Sequence, residues 1–138
     1  MDITEKPLKQ CPQLKIIRID MYVYFGSINH IQNRTARIAE GERIYHILIE
    51  ARGINFIDLA GAEALLSENN RLRKMGGGLY FVGLKPSLYE FAAKIHFVRD
   101  IGRNNFFDRK HEAICEIYGR LNHEVCETCP ALIFRECN

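Results

Sequence analysis

No stretch of this chain approaches the roughly 20 consecutive apolar residues that span a bilayer. The opening Met1-Asp2-Ile3-Thr4-Glu5-Lys6 lacks the apolar core of a signal peptide. Charge of one sign is missing too. The 19 Lys and Arg and 17 Asp and Glu leave a net +2, too small an excess to make nucleic acid the main partner. The five cysteines are odd in number and follow no secretion signal, so they fit a reducing compartment rather than a disulfide scaffold. Internal repeats and low-complexity segments are absent. Gly76-Gly77-Gly78 is no phosphate loop, because it lacks a Gly-Lys-Ser/Thr ending and precedes a strand. No local motif suggests a Ser/His/Asp arrangement, and no carboxylate pair stands out as acid and base. The expectation is a soluble, cytosolic piece with no cofactor.

With 138 residues, 47% of them hydrophobic and 26% charged, the chain suits one globular domain with a real core. The clearest stretch runs from Ile44 to Met75. Ile44-Tyr45-His46-Ile47-Leu48-Ile49 is short, apolar and bounded by charge, the pattern of a strand covered on both faces. Leu59, Ala62, Leu65, Leu66, Leu72 and Met75 then recur mostly at helical spacing, as one buried stripe would. Asp58 stands where an N-cap belongs, and Arg71, Arg73 and Lys74 crowd the end where the helix dipole favours cations. Gly76 fits a C-terminal stop.

The rest of the chain alternates in the same way. Residues 1–13 are polar, contain Pro7 and Pro12, and read as a linker or mobile terminus. Leu14 to Asp20 reads as a strand, and Met21 to Phe25 as its continuation or a short second strand. Ile28, Ile31, Thr35 and Ile38 set a helix that Ser27 would cap and Gly41 would end. Leu79-Tyr80-Phe81-Val82 is a second buried strand. The next helix has Leu88, Phe91, Ala92 and Ile95 inside. Its start has two readings, a Ser87–Glu90 capping box or Pro86 at the first helical position. Residues 97–105 read as loop and Phe106-Phe107 as a short edge strand. Asp108 would cap a last helix with Ile114, Ile117, Tyr118 and Leu121 inside. This order predicts an α/β fold with interleaved helices, right-handed crossovers and a mostly parallel central sheet of about four to five strands.

Asp58-Leu59-Ala60-Gly61, opening a helix after a buried strand, resembles the Asp-x-x-Gly signature of STAS domains. These are the domains of anti-sigma-factor antagonists and of the cytoplasmic tails of sulfate permease (SulP) anion transporters. Phe56-Ile57 before the motif, Ala64-Leu65 after it and Gly83-Leu84-Lys85-Pro86 after the next strand extend the likeness. Tyr24-Phe25-Gly26 looks like the transporter branch. The resemblance covers about residues 13–121, which implies a STAS domain at 14–121 followed by a Cys-rich tail at 122–138. It also implies a regulatory, non-enzymatic role at the cytoplasmic face of the inner membrane, as part of a longer transporter of sulfate-like anions. The partners it implies are the membrane domain of the same polypeptide, a second copy or a cytosolic protein. In the anti-sigma-antagonist branch the position of Ala60 is a phosphorylated serine or threonine. Alanine has no hydroxyl, and Leu59 has none either, so this chain departs from the phospho-switch.

Asp58, Leu59, Ala60 and Gly61 are therefore the candidate partner-binding residues, set against the plain reading of a cap and a close-packing glycine. Free N–H groups at a helix start attract anions and nucleotides, but the Asp58 carboxylate would occupy the same donors and repel such a ligand. An alternative metal site is Cys126, Cys129 and Cys137 with His123, which could complete a tetrahedral zinc shell. Only one Cys-x-x-Cys pair is present, however, and the expectation is reduced, metal-free thiols. His46, inside a strand, reads as a satisfied or edge residue. Tyr22, Tyr24, Phe25, Tyr80 and Phe81 read as core.

Overall fold

The computed structural model describes residues 13–20 and 22–120. Residues 1–12 of the expected linker, Leu121 and the Cys-rich tail with His123, Cys126, Cys129 and Cys137 lie outside the described residues. Among the described residues, six strands and five helices follow in order: β1 (Leu14–Arg18), β2 (Tyr22–Val23), α1 (Ile28–Ala36), β3 (His46–Glu50), β4 (Phe56–Ile57), α2 (Leu59–Lys74), β5 (Gly78–Val82), α3 (Pro86–Lys94), α4 (Phe97–Ile101), β6 (Phe106–Phe107) and α5 (Lys110–Tyr118). Four strands form a parallel sheet in the order β1-β3-β5-β6. The other two, β2 and β4, pair in parallel as a separate two-stranded sheet.

Alternation along the strands sorts side chains onto the two faces. Ile17, Ile47, Ile49, Leu79 and Phe81 enter one core with Ile31, Ala62, Leu65, Leu72 and Val98 from the helices. Leu14, Leu48, Tyr80 and Val82 enter the other, closed by Ala113, Ile114 and Ile117 of α5. Both faces of β3 and β5 are thus covered, as the unbroken apolar runs predict.

Helix α2 carries the expected cap and stop. Gly76 takes φ +91°, and the Gly76 and Gly77 N–H groups donate to the carbonyls of Arg73 and Leu72. That pair of bonds is a Schellman closure. Leu59 and Met75 are exposed rather than part of the stripe, at 54% and 51%. The buried face of α2 also carries two polar residues. Asn69 accepts a bond from the Leu79 N–H at 2.9 Å. Glu68 accepts one from the Thr35 hydroxyl at 2.6 Å and pairs with Arg71. Both are buried. Glu68 is paired, whereas Asn69 is satisfied at its oxygen only and its buried Nδ2 has no hydrogen-bond partner among the described residues.

Other helix ends differ from expectation. Ser27 occupies the N-cap position of α1 without capping it; its hydroxyl bonds Tyr24 instead. Gly41 does not end that helix, which runs on as a π-helical turn to Glu42 and stops at left-handed Arg43. Helix α3 starts with Pro86 at its first position, so the Ser87–Glu90 box is not the cap. The stretch expected as loop contains α4 and a 3-10 turn, Arg103–Asn105. Asp108 does not cap α5, because the N-cap falls one residue later, at Arg109. Cys115 is disulfide-bonded, a departure from the reducing compartment that the cysteine count suggests.

Candidate functional site

Two short strands position the Asp58 loop. Tyr22 lies opposite Phe56 and Val23 opposite Ile57. Val23 and Ile57 point into the core, so their neighbours point out. The Asp58 N–H then donates to the Val23 carbonyl at 3.0 Å. With its backbone extended, the Asp58 carboxylate turns back and accepts the Gly61 N–H at 2.7 Å. Such a cap satisfies an orphan donor and complements the helix dipole, a contribution of about 1 kcal/mol.

Gly61 is fixed by proximity. A Cβ there would lie 2.4 Å from the Val23 carbonyl oxygen and 2.9 Å from its Cγ1. The first turn of α2 therefore rests directly on the backbone of β2. On the neighbouring loop, Lys85 donates to the Ile54 carbonyl at 3.3 Å and to the Asn55 side chain. This ties the turn before α3 to the turn before β4.

What this frame presents to solvent is apolar. Tyr22 is 59% exposed, Leu59 54%, Phe56 45% and Tyr24 44%. The Tyr22 and Phe56 rings are 6.0 Å apart and tilted by 51°. Tyr24 and Asp58 follow directly on the paired residues, and Leu59 comes next. Tyr22 and Tyr24 are thus surface residues, not core as the sequence suggests, while Tyr80 and Phe81 are buried as expected. The missed signal was local: both tyrosines flank Val23, and if Val23 faces the core they cannot. Ala60 is half-buried and Gly61 buried, so Leu59 is the motif residue most available for contact. Its neighbours Phe56, Tyr22 and Tyr24 were not among the sequence candidates.

On the other face of the sheet, His46 Nδ1 lies 2.8 Å from the Tyr80 hydroxyl, and the two rings stack with centroids 5.9 Å apart. The histidine is satisfied, as expected. Burial, followed by the positive charge of Arg120, lowers its pKa, while burial raises that of Tyr80. Neutral His46 and protonated Tyr80 thus share one hydrogen bond, whose direction follows the imidazole tautomer. As pH falls, the unfolded chain protonates this histidine before the folded one does. Stability should therefore fall as pH drops through the unfolded histidine value of about 6.5 and on toward the lower folded one. Denaturant midpoints across that window should show a steeper acid slope for the natural chain than for His46→Gln; equal slopes would remove His46 as the cause.

Among the described residues, no group of three His, Cys, Asp or Glu side chains is placed to hold a metal ion. No described helix is long and apolar enough to cross a membrane.

The family pattern described as the STAS domain matches residues 5–113. Sulfate transporter 1.1 of Arabidopsis thaliana is 27% identical over 108 residues, which cover 71% of this chain but 17% of that protein. The chain thus spans under a fifth of the curated relatives it matches, at 17–19% of their length. Among solved structures, a sulfate transporter family protein from Wolinella succinogenes superposes with a TM-score of 0.66 at 21% identity, covering 84% of this chain and 89% of that one. The murine Solute Carrier 26 family member A9 anion transporter, in its inward-facing state, superposes with a TM-score of 0.67 at 19% identity, covering 78% of this chain and 18% of that one. The family pattern covers most of the chain and the solved relatives share its overall fold, so the chain belongs to the STAS domain family.

Proposed function

We propose that this chain is the regulatory domain of a SulP-type transporter of sulfate-like anions, held at the cytoplasmic face of the membrane and acting through protein contacts without catalysis. Residues 14–121 are the regulatory unit in this reading. The relatives supply the context, since their matching parts are small portions of transport proteins. The observation that carries the reading is the exposed patch of Tyr22, Tyr24, Phe56 and Leu59 around a rigid helix start. Large apolar side chains grouped in this way favour a protein partner over solvent. The Asp58 carboxylate holds the helix-start donor that an anion would need, so the surface suits a docking face better than an anion site.

The partner is the membrane domain of the same polypeptide. Docking regulates transport only if the domain binds one transport state more tightly than another. A free-standing anti-sigma antagonist is the weaker reading, because Leu59 and Ala60 offer no hydroxyl for phosphate. The test is the double variant Phe56→Ser, Leu59→Ser in the full-length protein. Both side chains are exposed, so the denaturation midpoint of the domain should stay near that of the natural chain. Anion uptake, or its regulation, should fall several-fold at equal surface expression, since a few central apolar residues dominate most interfaces. Unchanged uptake with an unchanged midpoint would sink the docking role.

A further inference from the structure

A cleft of about 440 Å³ opens where β6 meets the start of α3. Tyr89 and Phe106 give it an aromatic wall, and Leu84, Pro86, Glu90, Phe107 and Asp108 complete its lining. Phe106 is backed by Phe81 in a near-parallel stack at 5.1 Å and met edge-on by Tyr89 at 5.7 Å. The wall is therefore packed before anything enters. Glu90 and Asp108 are exposed, and among the described residues neither forms an ion pair. Two neighbouring cations are committed elsewhere, while Arg109 and Lys110, next to Asp108, and Lys94, four residues after Glu90, form no ion pair with either carboxylate. Arg52 pairs with Glu50 at 2.7 Å and reaches only the Asp108 main-chain carbonyl, at 3.4 Å. Lys85 is turned to Ile54 and Asn55.

An aromatic wall beside two unpaired carboxylates is complementary to a cation with a flat, polarisable face. Guanidinium fits better than ammonium: it is planar, weakly hydrated, stacks on rings and offers forked N–H donors to carboxylates. We propose that this cleft receives an arginine side chain from a basic protein segment, the guanidinium lying against the Tyr89–Phe106 wall with its N–H groups toward Glu90 and Asp108. This site is independent of the patch at Asp58 and stands or falls separately from it.

The experiment titrates the 15N-labelled 138-residue chain with a blocked Gly-Arg-Gly peptide. The same peptide with lysine, the same peptide with neutral citrulline, and tetramethylammonium serve as comparisons. Saturable amide shifts confined to residues 84–90 and 106–108 are expected for the arginine peptide. Its affinity should be millimolar and should weaken about fivefold or more in Glu90→Gln, Asp108→Asn. Both substitutions are at exposed positions, and an unshifted spectrum elsewhere verifies that the variant is folded. No saturable shift, equal binding of the citrulline peptide, or shifts centred elsewhere would overturn the proposal. Tetramethylammonium or the lysine peptide binding as tightly would overturn the arginine assignment and make this a general cation cleft.

Discussion

Gly61→Ala is expected to destabilise the domain by about 1–3 kcal/mol, although alanine is intrinsically the better helix former by about 1 kcal/mol. The sign is decided by what the new methyl meets. At 2.4 Å it strikes the Val23 carbonyl oxygen, a backbone atom. That oxygen is fixed by the Asp58 N–H at 3.0 Å and by the β2–β4 pairing. No rotamer change can relieve the contact, so α2 must move off β2, and the cap and the patch move with it. Gly41→Ala is the control, because nothing lies within 4 Å of a Cβ there. It should be neutral or stabilising. Urea unfolding of both variants gives the comparison. A Gly61→Ala midpoint at or above that of the natural chain would refute the close-packing account.

Phe81→Ala should cost about 3–5 kcal/mol, a large fraction of the roughly 5–15 kcal/mol that a domain has. Phe81 is 1% exposed and lies on β5, between β3 and β6. It stacks on Phe106 and meets the Phe97 ring edge-on at 5.8 Å. Removing it leaves a cavity between the sheet and α4 and takes the backing from the wall of the β6 cleft. Collapse is limited because β5 is hydrogen-bonded on both sides. Equilibrium denaturation with a loss below about 1 kcal/mol would show that the site can close up, contrary to this packing.

The parts of the fold legible in the sequence were those with strong local causes. Strand β3 and helix α2 announce themselves by an unbroken apolar run, a carboxylate cap, a cationic end and a glycine stop. The pairing of β2 with β4 did not, because two-residue strands carry no period and are defined by a partner over 30 residues away. Helix α4 was hidden for a similar reason: at Phe97–Ile101 it is barely more than a turn, and His96 enters it in the left-handed region. Glu68 and Asn69 are polar residues on the buried face of α2, and nothing local marks them as such: their partners, Thr35 and the Leu79 N–H, lie in other elements. The motif Asp58 to Gly61 was legible; the patch beside it was not. An aromatic residue reads as core unless the strand's facing is known, and for Tyr22 and Tyr24 that facing is set by where Val23 goes.

The central claim is that the face formed by residues 22–24 and 56–61 docks onto the rest of a transporter. Amide hydrogen exchange compares that face in the isolated chain and in the full-length membrane protein. The account predicts slower exchange at Val23, Tyr24 and residues 56–61 in the full-length protein, reversed by Phe56→Ser, Leu59→Ser, with little change across α5 on the other face. Identical exchange at residues 22–24 and 56–61 in the two settings, or protection confined to α5, would contradict it.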